Sequence, residues 1–136
     1  MHAIRLRGPW EFSIGGTSIA GRIEFPCSWR QLCDAAGSQA DAIRLTRRFN
    51  KPTGLQQRDS VLLSFRYCGA ILTAQLNGAS LSLRDGPDGS QHAEVTSQLA
   101  DRNELIVEFA PPSPALLATD DCCLDVELQI HSARES

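Results

Sequence analysis

At 136 residues, 42% of them hydrophobic and 21% charged, the chain has the length and composition of one globular domain, large enough to bury a core without disulfides or metal to hold it. Its net charge of −3 gives no overall pull toward nucleic acid or an anionic membrane surface, and no apolar run approaches the roughly 20 residues of a membrane-spanning helix. Met1 to Trp10 mix charged and apolar side chains and reach Pro9 before any leader-like apolar stretch forms, so a soluble, cytoplasmic protein is expected.

Trp10, Phe12 and Ile14 share one face of a first predicted strand, with Glu11 and Ser13 opposite. Gly15-Gly16 turns the chain, Ile19, Gly21, Ile23 and Phe25 continue on the return strand, and Pro26 ends it because proline cannot donate to a ladder. Ser28 can cap a short helix, near Arg30–Ala36, that carries Gln31, Leu32 and Ala35 and stops at Gly37. The next strand turns Ile43, Leu45 and Phe49 inward and Arg44, Thr46 and Arg48 outward; Lys51-Pro52-Thr53-Gly54 closes it and a polar loop through Gln56, Gln57, Arg58 and Asp59 follows. Val61, Leu63, Phe65 and Tyr67 alternate, and Leu62 between them suits a central strand.

After Gly69, Ile71 to Leu76 run into Asn77-Gly78, a strong type I′ hairpin signal because both turn positions need positive φ. Leu81 and Leu83 are assigned to its partner strand, and Arg84-Asp85-Gly86-Pro87-Asp88-Gly89-Ser90 to a loop. His92 and Glu94 share a strand face, Leu105, Val107 and Phe109 mark another strand, and Leu124, Val126, Leu128 and Ile130 the last. Between those two, Pro111-Pro112-Ser113-Pro114 is an extended connector. About eight antiparallel strands and at most one short helix make an all-β sandwich or barrel, one domain over 1–136. Its predicted core is Trp10, Phe12, Leu45, Phe49, Leu63, Phe65, Leu76, Val107, Phe109, Val126 and Leu128.

The cysteines are Cys27, Cys33, Cys68, Cys122 and Cys123, an odd number without CxxC spacing. Free thiols in a reducing cytoplasm are expected, in preference to a zinc site at Cys27, Cys33 and Cys122-Cys123. The turn Asp85 to Gly89 has carboxylates but no terminal bidentate glutamate for calcium. No metal and no cofactor is expected; HExxH, a nucleophile elbow and a phosphate-cradling glycine loop are all absent from the sequence.

Eight short motifs then fall in a familiar order: Gly8-Pro9-Trp10-Glu11-Phe12, Pro26-Cys27-Ser28-Trp29, Arg47-Arg48-Phe49, Val61-Leu62-Leu63-Ser64-Phe65, Ala74-Gln75-Leu76-Asn77-Gly78, Glu94-Val95-Thr96, Asn103-Glu104-Leu105-Ile106-Val107 and Leu124-Asp125-Val126-Glu127-Leu128. Together they resemble the sugar-binding domain that opens family 2 glycoside hydrolases, the β-galactosidases, β-glucuronidases and β-mannosidases. The resemblance implies a galactose-binding-like jelly-roll β-sandwich. It also implies that catalysis resides in a separate (β/α)₈ barrel, for which this chain has no room. Two features depart from the family pattern. Leu45-Thr46 precedes Arg47 where the family has an aromatic, and Asp120-Asp121-Cys122-Cys123 replaces an aromatic-rich segment.

Two carboxyls facing each other at about 5–9.5 Å would be needed for glycoside hydrolysis. Asp120 and Asp121 are adjacent and point apart on an extended chain, and His92 with Glu94 suits a solvated surface. A non-catalytic carbohydrate-binding or accessory module is therefore the first reading. The second is a structural protein that uses the jelly roll for assembly, as a homodimer or docked on a larger glycoside hydrolase subunit. No catalytic residue is assigned. The expected ligand contacts are Arg84, Asp85, Asp88 and His92, whose charge and hydrogen-bonding groups suit sugar hydroxyls. Trp29 is a further contact, either stacking on a sugar ring or plugging the core.

Overall fold

Alternation of apolar and polar side chains decides most of the architecture in the computed structural model, which describes residues 1–14, 21–36, 42–86, 89–113 and 123–132. In chain order the elements are β1 (His2–Arg5), β2 (Trp10–Ile14), β3 (Gly21–Ile23), β4 (Cys27–Ser28), α1 (Trp29–Ala36), β5 (Ile43–Asn50), β6 (Ser60–Arg66), β7 (Ile71–Leu76), β8 (Ala79–Ser80), β9 (Arg84–Asp85), β10 (Ser90–Glu94), β11 (Arg102–Phe109) and β12 (Cys123–His131). Eight of these strands have four residues or more, and β1 among them has no counterpart in the alternating pattern. They form two antiparallel sheets, β1-β12-β6-β10-β9 with β4 joined to β12, and β3-β2-β5-β11-β7-β8.

Register brings the apolar residues onto facing surfaces. One inner row is Ile4, Leu128, Leu63 and Ala93 across the first sheet; another is Phe12, Leu45, Val107 and Ala74 across the second. All eleven predicted core residues are buried, joined by Leu6, Phe25, Trp29, Leu32, Ile43 and Leu124 among others. Aromatic contacts close the ends of this layer. Trp10 stacks on Phe25 at 4.6 Å and donates its indole N–H to Leu6 O at 2.7 Å. Tyr67 meets Phe109 edge-on at 5.2 Å and donates its hydroxyl to Ala110 O. These partners satisfy the polar handle that each ring carries into the core.

The helix begins where its sequence says. Ser28 Oγ accepts from Gln31 N at 3.1 Å, and Gln31 Oε1 accepts from Ser28 N at 2.9 Å, a reciprocal capping box. No helix of the described residues is long and apolar enough to cross a membrane. Asn77 (φ 54°) and Gly78 (φ 84°) take the left-handed conformations of a type I′ turn between β7 and β8.

Three expectations are corrected. Leu81 and Leu83 lie outside the return strand, which is only Ala79–Ser80, and pack half-buried against the core. Arg84 and Asp85 are not loop but an edge strand paired with β10, a short pairing that turn composition conceals. Cys68 is not a free thiol: it is disulfide-bonded, whereas Cys27, Cys33 and Cys123 form no disulfide. Tertiary pairing, not spacing along the chain, brings sulfurs together, and this bond removes the free-thiol pattern on which a reducing compartment was expected. The Gly15-Gly16 turn, Gly37 and Cys122 lie outside the described residues.

Candidate functional site

The sequence places the ligand at Arg84, Asp85, Asp88, His92 and Trp29. In the structure Arg84 and Asp85 are exposed on the edge strand β9, and Asp88 lies outside the described residues. Arg84 stands opposite His92, on one face of the β9–β10 pair, while Asp85 stands opposite Gln91 on the other. His92 is half-buried. Its Nε2 shares a hydrogen bond of 3.0 Å with Ser90 Oγ, and its ring covers Gly86 so closely that a Cβ there would sit 2.7 Å from Nε2. The imidazole is thus committed to the hairpin. Trp29 leaves the candidate set altogether: it is 3% exposed and packs against Tyr67, so neither ring face is free for a sugar.

A concavity lies at the other end of the sandwich. Ser90, where β10 begins, pairs with Arg66, where β6 finishes, and Tyr67 just beyond reaches Ala110 past the end of β11. At the opposite end, where β11 begins and β5 finishes, a cavity of about 440 Å³ is lined by Arg47, Arg48, Phe49, Asn50, Asn77, Arg102, Asn103 and Glu104. That volume is within the range of small-molecule sites, roughly 300–1,000 Å³.

The three arginines differ in their surroundings. Arg48 projects outward, bonded to Glu11 Oε1 at 2.6 Å and to Glu104 Oε2 at 3.1 Å, so two carboxylates neutralise it. Arg44, four residues earlier on the same face, meets Glu108 at 3.0 Å. Arg47 points the other way. It pairs with Leu105, which pairs with Leu76, and both leucines are buried on the inner face. A cation therefore shares a row with two core leucines. It donates to Arg48 O, its Nε is buried without an acceptor, and no carboxylate among the described residues meets it. Burial lowers its pKa from the ordinary guanidinium value. Arg102 is exposed and has no ion pair among the described residues.

Two amides frame these charges. Asn77 Nδ2 donates to Asn103 Oδ1 (3.0 Å) and Gln98 O (3.1 Å), while its Oδ1 accepts from Glu104 N (2.9 Å). Asn103 Oδ1 also accepts from Ala100 N (2.8 Å), and its Nδ2 donates to Ala100 O (2.9 Å) and Phe49 O (3.4 Å). With its hydrogens used, each of these two amides holds the rim in place. Glu104, the carboxylate among the described residues that lines the cavity, is engaged by Arg48. Among the described residues no group of three His, Cys, Asp or Glu is placed to hold a metal ion.

The architecture has clear counterparts among solved structures. A β-glucuronidase from Bifidobacterium dentium, complexed with coumarin-3-O-glucuronide, matches with TM-score 0.69 and 18% identity over 97% of this chain and 30% of its own. A β-D-mannosidase from Dictyoglomus thermophilum matches with TM-score 0.73 and 14% identity over 97% and 23%. A β-glucuronidase from an uncultured Clostridium species gives 0.70 and 15% over 97% and 29%. The chain has the fold of a domain-sized part of family 2 glycoside hydrolases. It spans less than a third of the length of these three enzymes. No protein-family model and no curated protein matches the sequence.

Arg47, Asn77 and Asn103 thus come from three separate sequence motifs that meet at one rim. The sequence contained one signal for this: strict alternation through Leu45 and Phe49 puts Arg47 inward, a position where a charge requires an explanation.

Proposed function

We propose that the chain is a non-catalytic carbohydrate-binding or accessory module, working beside catalytic residues that lie outside it. The observation that carries this reading is the strand-end cavity: a rim locked by Asn77 and Asn103 and lined by Arg47 and Arg102, which meet no carboxylate among the described residues. Rigid strands hold the site, and the fold is shared with part of several glycosidases, which supports a saccharide as the ligand class.

The test is a glycan-array screen of the purified protein beside its Arg102→Gln variant, with the solution mass measured for both. Binding by the parent that the variant loses at unchanged mass supports the module. No glycan bound by a protein that forms a stable dimer or docks on a larger glycosidase subunit would favour the assembly role instead.

A further inference from the structure

Asn77 precedes Gly78, the single Asn-Gly pair in the chain. Such a pair carries its own reaction. The glycine's backbone nitrogen can attack Cγ of the asparagine, closing a five-membered imide as a C–N bond forms and Nδ2 leaves as ammonia. Water then opens the imide, to aspartate on one side or isoaspartate on the other, with a carboxylate where the amide stood. Glycine favours the attack because no Cβ shields its nitrogen. Gly78 is exposed, and a Cβ there would meet nothing within 4 Å.

The restraint lies on the asparagine. Asn77 N donates to Glu104 O at 2.9 Å and Glu104 N to Asn77 Oδ1 at 2.9 Å, so the side-chain oxygen takes the place of a ladder carbonyl. Nδ2 is held by Asn103 Oδ1 and Gln98 O. Closing the imide makes Cγ tetrahedral and swings Oδ1 and Nδ2 away from these three partners. We propose that Asn77 is a deamidation site gated by the rim: its amide is protected while it bonds Glu104, Asn103 and Gln98, and is converted when the β7–β8 hairpin opens away from β11.

The step runs one way. A carboxylate at position 77 still accepts from Glu104 N but has no hydrogen to donate. Asn103 Oδ1 and Gln98 O would then face a negative oxygen, and Asn103, 3% exposed, has little water to replace the lost donor. Isoaspartate would also add a backbone carbon to a two-residue turn whose flanks pair as Leu76 with Ala79. Conversion therefore unlocks the strand-end cavity permanently, whatever ligand the cavity takes.

The test incubates the full chain at mildly alkaline pH and follows the peptide containing residues 77–78 by mass spectrometry, with isoaspartate separated by chromatography. Asn50 and Asn103, followed by lysine and glutamate, are internal controls. Deamidation at Asn77 should be about ten-fold or more slower in the native chain than in the same chain unfolded in urea. An opening that costs roughly one net hydrogen bond already gives that ratio. Asn103→Ala, lacking one partner, should deamidate faster than the parent in native buffer. The parent comparison needs no variant and decides the matter should Asn103→Ala fail to fold. Equal rates in the native and unfolded chain, or a folded Asn103→Ala that reacts no faster than the parent, would overturn the gate. Asn77→Asp should lower the urea midpoint; a midpoint equal to the parent's would overturn the one-way step.

Discussion

The paired amides Asn77 and Asn103 show how one side chain can serve a turn, a strand and a site together. Asn77 supplies the positive φ that the hairpin requires and at the same time caps the start of β11 through Glu104 N. Asn103 is 3% exposed and ties Ala100, Phe49 and Asn77. Removing its amide leaves buried backbone groups unpaired, at a cost of about 1–3 kcal/mol. Asn103→Ala should therefore lower the unfolding free energy by that amount in urea titration and weaken ligand binding as the rim loosens; an unchanged midpoint would show that the amide network holds nothing. Both asparagines were legible as local signals, a turn and a strand start. Their meeting was not, because it depends on β7 and β11 being neighbours, a fact of register that no local pattern states. The same applies to Arg47, whose inward direction follows from alternation but whose lack of a carboxylate among the described residues emerges only once Glu11 and Glu104 are placed on the outer face.

At the scale of elements, period-two patterning recovered the long strands because each buries one face against the other sheet. It failed where burial is slight: β1 is a largely exposed edge strand, and β9 is a two-residue pairing inside a turn-rich stretch. The expected ligand loop rests on composition of the same kind. Turn chemistry at Arg84 to Ser90 is polar whether or not a ligand binds, and in the structure His92 is engaged by Ser90 and Gly86. The helix was legible from its cap. Ser28→Ala should destabilise the protein by about 1 kcal/mol, visible as a lower denaturant midpoint at unchanged slope. A Ser28→Ala midpoint equal to the parent's would mean that the capping box contributes nothing to α1.

For the whole molecule, the cross-sheet core sets stability and its dependence on pH. Truncating Phe109, 1% exposed and in contact with Tyr67, to alanine should cost about 3–5 kcal/mol. The alkaline limit follows from buried acids. Burial, with smaller contributions from Cys123 and Asp125, pushes the Cys27 thiol from 9.0 up to about 12. Burial, with Cys33 adding to it, likewise raises the Tyr67 hydroxyl above its ordinary 10.0. In both cases the unfolded chain releases the proton first. Their contribution is whole below about pH 9 and is lost progressively as the pH climbs toward 12. Thermal midpoints should fall over that window, and more shallowly in Cys27→Ala and Tyr67→Phe; parallel curves for parent and variants would exclude these groups as the cause.

Amide chemical-shift mapping with a glycan retained in the array screen tests the central claim most directly, because the two ends of the sandwich give separate signals. The account predicts shifts concentrated at residues 47–50, 77 and 102–104, absent from Arg47→Met. Shifts gathered instead at residues 84–92, or persisting unchanged in that variant, would contradict it.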